Sequence, residues 1–266
     1  MMSAQADLNA PLILREDQDG LVTLTLNRPR HYNALSEEML AALKTELDAL
    51  ANDETLRCVV LRAAGKAFCA GHDLRQMYSH LGEEDYYRQL FATCSGVMQS
   101  LLAVPVPVIA VIQGVATAAG CQLVASCDLA VATDSARFAV SGINAGLFCS
   151  TPSVALSRNV SAKRAFEMLV TARFIDAATA ADWGLINQAV PEAELDGAVT
   201  ALATSIMEKS PAAIRHGKAM FYRQRQLPLD EAYRFAGEVM ARNMMEADAA
   251  EGIDAFLNKR AAQWQR

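Results

Sequence analysis

Two short runs hold the residues best suited to chemistry: Phe68-Cys69-Ala70-Gly71-His72-Asp73-Leu74 and Gly114-Val115-Ala116-Thr117-Ala118-Ala119-Gly120-Cys121-Gln122. Each follows a strongly apolar, β-like stretch, residues 58–61 and 106–112, and each leads into residues that can start a helix. The first turn of a helix has backbone N–H groups with no carbonyl to meet, and its dipole favours negative charge. Two such N–H groups converging on one oxygen form an oxyanion hole. Side chains able to move a proton are scarce nearby. Gln122 neither takes nor returns a proton near neutral pH. His72 titrates in a useful range and invites an acid/base reading. Cys149 is a candidate thiol, with a buried and inert role the favoured reading. Asp128 is the only carboxylate near the second turn, and its place at a strand start makes it structural.

The elements that must position these turns read as alternating strands and helices. Residues 12–15 and 21–26 around Asp19-Gly20 predict a β-hairpin. Ser36 predicts an N-cap, with Glu37 and Glu38 in the first turn and an apolar face of Met39, Leu40, Leu43, Leu47 and Leu50. A buried strand at 58–61, a helix at 84–102 stopped by Pro105 and Pro107, a strand at 108–112, a helix at 118–126 and a strand at 129–132 follow. Ser161 predicts a cap for a helix at 162–170, and 177–183 a short helix before Gly184. From Leu195 onward helices dominate, with Pro211 and Pro228 marking breaks.

The bulk composition narrows the function classes. With 266 residues, 52% of them hydrophobic, the chain is long enough for one large core. A net charge of −6 argues against nucleic-acid binding, so any anion site must be local. The six cysteines show no C-x-x-C spacing, which leaves free thiols as the expectation and no metal site. Residues 1–11 carry neither a signal-peptide apolar run nor transit-peptide arginines, and no stretch reads as a membrane span. A cytoplasmic protein is expected, or one of the mitochondrial matrix if a eukaryotic transit peptide has been trimmed.

An ordered set of motifs runs nearly end to end. It starts at Leu26-Asn27-Arg28-Pro29 with Asn33-Ala34-Leu35, and passes through Lys66-Ala67-Phe68-Cys69-Ala70-Gly71, Pro105-Val106-Pro107-Val108-Ile109-Ala110, Cys127-Asp128-Leu129-Ala130 and Ala181-Asp182-Trp183-Gly184-Leu185-Ile186. It closes with Glu251-Gly252-Ile253-Asp254-Ala255-Phe256-Leu257-Asn258-Lys259-Arg260. In this set the chain resembles the crotonase superfamily, the enoyl-CoA hydratase/isomerase family. The resemblance implies an α/β fold in one domain, 1–266. Repeated ββα units form a spiral core to about residue 195, and a C-terminal helical region from about 196 packs on neighbouring subunits in a homotrimer or a dimer of trimers. It implies an acyl-CoA substrate, with coenzyme A as part of that substrate and no separate cofactor. The positions that polarise the thioester carbonyl match the backbone N–H groups of His72 and Ala119. Relatives sharing the Gly-His-Asp wording use that histidine for its N–H, so a proton-transfer role of the imidazole is the lesser reading. Ala70, Asp73 and Leu74 match positions lining adenine and pantetheine, and Arg28 matches an early loop that touches coenzyme A. Phe256 and Lys259 match a C-terminal helix reaching adenine and phosphates, their spacing placing them on one helix face.

The resemblance also marks a departure. Hydratases of the family hold a water between two glutamates; here the matching residues are Gln122 and Gly142, and Ala119 stands where most relatives have glycine. Oxyanion stabilisation is therefore expected with classical hydration slow. The alternatives are a malonyl-type decarboxylase and a non-catalytic acyl-CoA binder. A spiral-fold peptidase would need a nucleophile turn that is absent.

Overall fold

The computed structural model describes residues 10–265, so the reading of the first nine residues lies outside the described part. Strand β1 (Ile13–Gln18) turns through Asp19-Gly20 into β2 (Leu21–Leu26), with Gln18 opposite Leu21. Both turn residues have positive φ, as a two-residue hairpin turn requires. Helix α1 (Glu37–Ala51) starts at Ser36, whose hydroxyl accepts from the Met39 N–H, and the five expected apolar residues are all buried. β3 (Cys58–Ala63), the short α2 (Leu74–Ser79), the long α3 (Glu84–Ala103), β4 (Val108–Ile112) and β5 (Val115–Thr117) follow. Then come α4 (Ala119–Ser126), β6 (Leu129–Thr133), β7 (Arg137–Ala139), α5 (Ser150–Leu156), α6 (Ala162–Thr171), β8 (Ile175–Asp176), α7 (Ala177–Asp182) and β9 (Gln188–Val190). Helices α8 (Leu195–Met207), α9 (Pro211–Gln224), α10 (Leu229–Met244) and α11 (Ala247–Leu257) complete the chain.

The strands form a six-stranded sheet in the order β1-β2-β3-β4-β6-β9, parallel beyond the first hairpin, and a second sheet β5-β7-β8. Side chains alternate across the large sheet, as the period of two demands. Val59, Leu61, Val108, Ala110 and Ile112 enter the main core, which α1 and α3 share. Cys58, Val60, Ile109, Val111 and Val131 face the other way and are covered by Leu195, Val199 and Ala203 of α8. Both faces are covered, so these strands read as continuous apolar runs.

Several expectations shift at element ends. Pro211 and Pro228 mark breaks between helices as expected, and each opens the next one: Pro211 is the first residue of α9, capped by the Ser210 hydroxyl, and Pro228 precedes α10. The Ser161 side chain makes no capping bond. The segment after Asp73 is α2, started by the Asp73 carboxylate, which accepts from the Arg75 and Gln76 N–H groups. Besides the α8 face, a buried lysine fastens α9 to the core. Lys218 of α9 donates to Asp128 at 2.7 Å, to the Val106 carbonyl at 2.9 Å and to the Leu101 carbonyl at 3.0 Å. Asp128 also accepts from the Val108 N–H, which gives it the structural role expected.

Candidate active site

The two turns lie against each other. Residues Cys69 and Ala116 form a parallel bridge, Cys69 N–H donating to Val115 and Thr117 N–H donating to Cys69. A Cβ added to Gly71 would stand 2.9 Å from the Ala118 methyl and 3.3 Å from the Ala119 nitrogen, and one on Gly120 would collide with the Cys69 carbonyl. Glycine at both places lets the backbones meet. Among the described residues, neither His72 N–H nor Ala119 N–H donates to a protein acceptor. His72 follows Gly71 directly, so the turn that carries it packs on the start of α4.

Ala119 itself is unstrained, being the first residue of α4. The unusual backbone is one position earlier, at Ala118, with φ 51° and ψ −120°. An alanine held in so sparse a region costs about 1–3 kcal/mol, and such strain gathers where a turn must aim a group. The sequence carries no signal for it.

Only three buried side-chain polar atoms among the described residues lack a partner: His72 Nδ1, His72 Nε2 and Gln122 Oε1. An orphaned buried polar atom costs about 1–3 kcal/mol, so their concentration beside the two free donors points to a ligand that supplies partners. Burial holds the His72 ring below its usual imidazole pKa, so it is neutral at neutral pH, and its edge meets the Phe91 ring at 5.6 Å. Gln122 is three residues beyond Ala119, so its side chain leans back over the first turn of α4. It also lines a cavity of about 630 Å³ between α3, α4, α5 and α9.

The position matching the second glutamate is closed. A Cβ on Gly142 would stand 2.6 Å from the Leu147 carbonyl oxygen and 2.7 Å from Cys149 Sγ. The Gly142 N–H donates to that sulfur at 3.3 Å. Burial pushes the Cys149 thiol pKa up, the Gly142 N–H opposing it, so the group is a thiol that fills space.

Arg28 and Asp73, 45 residues apart, are joined at 2.7 Å. Burial pushes the Asp73 carboxyl up, but hydrogen bonds from Arg28 and from the Gln76 and Arg75 N–H groups outweigh it and hold it below the usual carboxylate range. Asn33, wholly buried, pins the loop by accepting from Arg28 N–H and donating to the Ala64 and Ala67 carbonyls. Among the described residues the Ala70 carbonyl accepts no hydrogen bond, and Leu74 stands exposed at the start of α2. Phe256 and Lys259 do not share a helix face. α11 ends at Leu257, and Lys259 takes a left-handed conformation, φ 52°. Arg260 N–H bonds back to Ala255 and Lys259 N–H to Phe256, the two bonds of a Schellman cap. The cap turns Lys259 off the helix that carries the exposed Phe256.

The fold is that of the crotonase class. The chain matches the family model of enoyl-CoA hydratase/isomerase over residues 16–266 and belongs to that family. It is 45% identical to the rat enoyl-CoA hydratase domain-containing protein 3, mitochondrial, over 93% of this chain and 82% of that protein. The crystal structure of an enoyl-CoA hydratase from Mycobacterium smegmatis superposes with a TM-score of 0.94 at 57% identity, covering 96% of this chain and 99% of that one. The human enoyl-CoA hydratase domain-containing protein 3 superposes with a TM-score of 0.92 at 43% identity, over 95% and 100% of the two chains. Among the described residues no helix is long and apolar enough to cross a membrane, and no group of three or more His, Cys, Asp or Glu is placed to hold a metal ion.

Proposed function

We propose that the protein binds acyl-CoA thioesters and stabilises the thioester oxyanion or enolate between the N–H groups of His72 and Ala119. The observation that carries this reading is the close packing of Gly71 on Ala118 and Ala119, in two turns whose His72 and Ala119 N–H groups meet no acceptor among the described residues. Arg28, Ala70, Asp73 and Leu74 line the coenzyme A side. The Gln122 carboxamide orients a water or an acyl group, and among the described residues lining its cavity there is no carboxylate to move a proton. Hydration of an enoyl-CoA is therefore slow, since each missing acid or base group costs about 100- to 10,000-fold. Decarboxylation of a malonyl-type ester is the second reading. It makes an enolate without a base, and the carboxylates nearest the turns, Asp73 and Asp128, are already bound to Arg28 and Lys218.

Assembly belongs to the same proposal. Met240, Met244, Met245, Phe256 and Leu257 are exposed on the C-terminal helices, whereas Val239 is buried within the chain. We read that apolar face as the contact of a homotrimer or dimer of trimers, in which Phe256 and Lys259 complete a coenzyme A site.

The test combines thermal shift with turnover. An acyl-CoA at about 100 times its Kd adds about 2.7 kcal/mol to folded stability. Crotonyl-CoA and malonyl-type esters are then assayed for product. No stabilisation by any acyl-CoA at millimolar concentration refutes binding, and hydration at the rate of a two-glutamate relative refutes the catalytic part.

A further inference from the structure

The cavity behind Gln122 is where the structure says most about the acyl group. Its lining includes the apolar side chains of Met98 and Leu102 of α3 and Val154 of α5. Gln122 belongs both to this wall and to the first turn of α4, so the cavity begins where the oxyanion turn ends. It runs along α4 past Ala125 to Ser126. From Ala119 to Ser126 the helix advances about 10 Å, a medium-length acyl chain's reach.

The far wall changes character. Arg158 and Arg225 both line it. Arg225 Nη2 donates to the backbone carbonyl of Arg158 at 2.8 Å, and Arg158 Nη1 donates to the carbonyl of Val154 at 2.8 Å. These bonds tie Arg225 to the backbone of Arg158 and lay Arg158 back along its own turn. Among the described residues neither forms an ion pair with a carboxylate. The Arg225 guanidinium lies over the Phe221 ring at 5.4 Å, which fixes its stem further. Two like charges kept together without a counter-charge, in a protein of net charge −6, make a local anion site. Each guanidinium has donors left over, in the planar arrangement that fits a carboxylate.

Resting on the acyl-CoA reading above, we propose that this cavity selects acyl chains that end in a carboxylate, an ω-carboxyacyl thioester. The thioester oxygen sits at His72 and Ala119, the methylenes follow α4 over Met98, Leu102 and Val154, and the terminal carboxylate meets Arg158 and Arg225. Such a chain brings the arginines a counter-charge, which a plain fatty acyl chain lacks.

The experiment measures the Kd of free coenzyme A, octanoyl-CoA and its ω-carboxy counterpart of equal length, for the full-length protein and for the double variant Arg158→Gln, Arg225→Gln. The expected result is tighter binding of the ω-carboxy ester than of octanoyl-CoA by about tenfold, about 1.4 kcal/mol, which is the range of a charge-assisted hydrogen bond. In the variant that preference disappears, while coenzyme A and octanoyl-CoA bind unchanged. Equal binding of both esters by the wild type overturns the proposal and leaves the acyl-CoA reading standing. Loss of affinity for free coenzyme A in the variant also overturns it, because the arginines then hold the nucleotide phosphates. Failure of all three ligands to bind the wild type defeats the acyl-CoA reading and this proposal with it. Circular dichroism melts of the variant confirm folding, since both arginines are surface residues whose loss leaves the core intact.

Discussion

Gly142→Ala is a small change that the structure makes costly. The added methyl carbon would lie 2.6 Å from the Leu147 carbonyl oxygen and 2.7 Å from Cys149 Sγ, short of the 3.4 Å at which ordinary contact begins by 0.8 Å and 0.7 Å. One neighbour is backbone and the other a buried side chain that already accepts the Gly142 N–H. Overpacking of this kind costs about 1–3 kcal/mol, which for a chain of this length lowers Tm by roughly 2–10 °C. Cys149→Ala removes one of the two contacts. In a double-mutant cycle the pair should therefore be coupled favourably, by about 0.5–1.5 kcal/mol, without full rescue while Leu147 stays in place. Thermal and urea unfolding of the wild type, both single variants and the double variant measure this. The consequence for chemistry is direct. The double change Gln122→Glu, Gly142→Glu looks from the sequence like a restoration of the hydratase pair, but it should lose stability and gain little hydration of crotonyl-CoA. A Gly142→Ala protein as stable as the wild type would refute the reasoning, because the 147–149 segment would then yield and a glutamate would fit.

Two further substitutions test other parts of the structure. Lys218→Met leaves Asp128 buried without its cation and should cost about 3–5 kcal/mol; a loss under about 1 kcal/mol in urea unfolding would mean the fastening of α9 is not electrostatic. Lys259→Gly relieves a left-handed residue at the α11 cap and should raise stability by a net of about 0.5–1 kcal/mol while weakening acyl-CoA binding. A loss of stability would contradict the cap geometry, and unchanged affinity would remove Lys259 from the coenzyme A site.

Much of the architecture was legible because it is locally encoded. The Asp19-Gly20 turn, the Ser36 cap and the 3.6-residue spacing from Met39 to Leu50 each act within a few residues of themselves. The apolar runs of β3 and β4 are continuous because both faces are covered, and a continuous run is visible without a partner. The two turns carrying His72 and Ala119 were visible for the same reason, being junctions between a buried run and a helix start. The second sheet was not legible, since strands of two or three residues such as β5, β7 and β8 are too short to show a period. Nor was the coupling between distant residues. Gly71 meeting Ala119, Cys149 filling the space beside Gly142, Arg28 reaching Asp73 and Lys218 reaching Asp128 all join segments with no local signature of each other. The strain at Ala118 and the turn that takes Lys259 off its helix likewise arise when tertiary contacts and cap hydrogen bonds outweigh an alanine's or a lysine's own preference. Local chemistry set the elements and the turns; only packing decided that the two turns meet and that a second glutamate has no room.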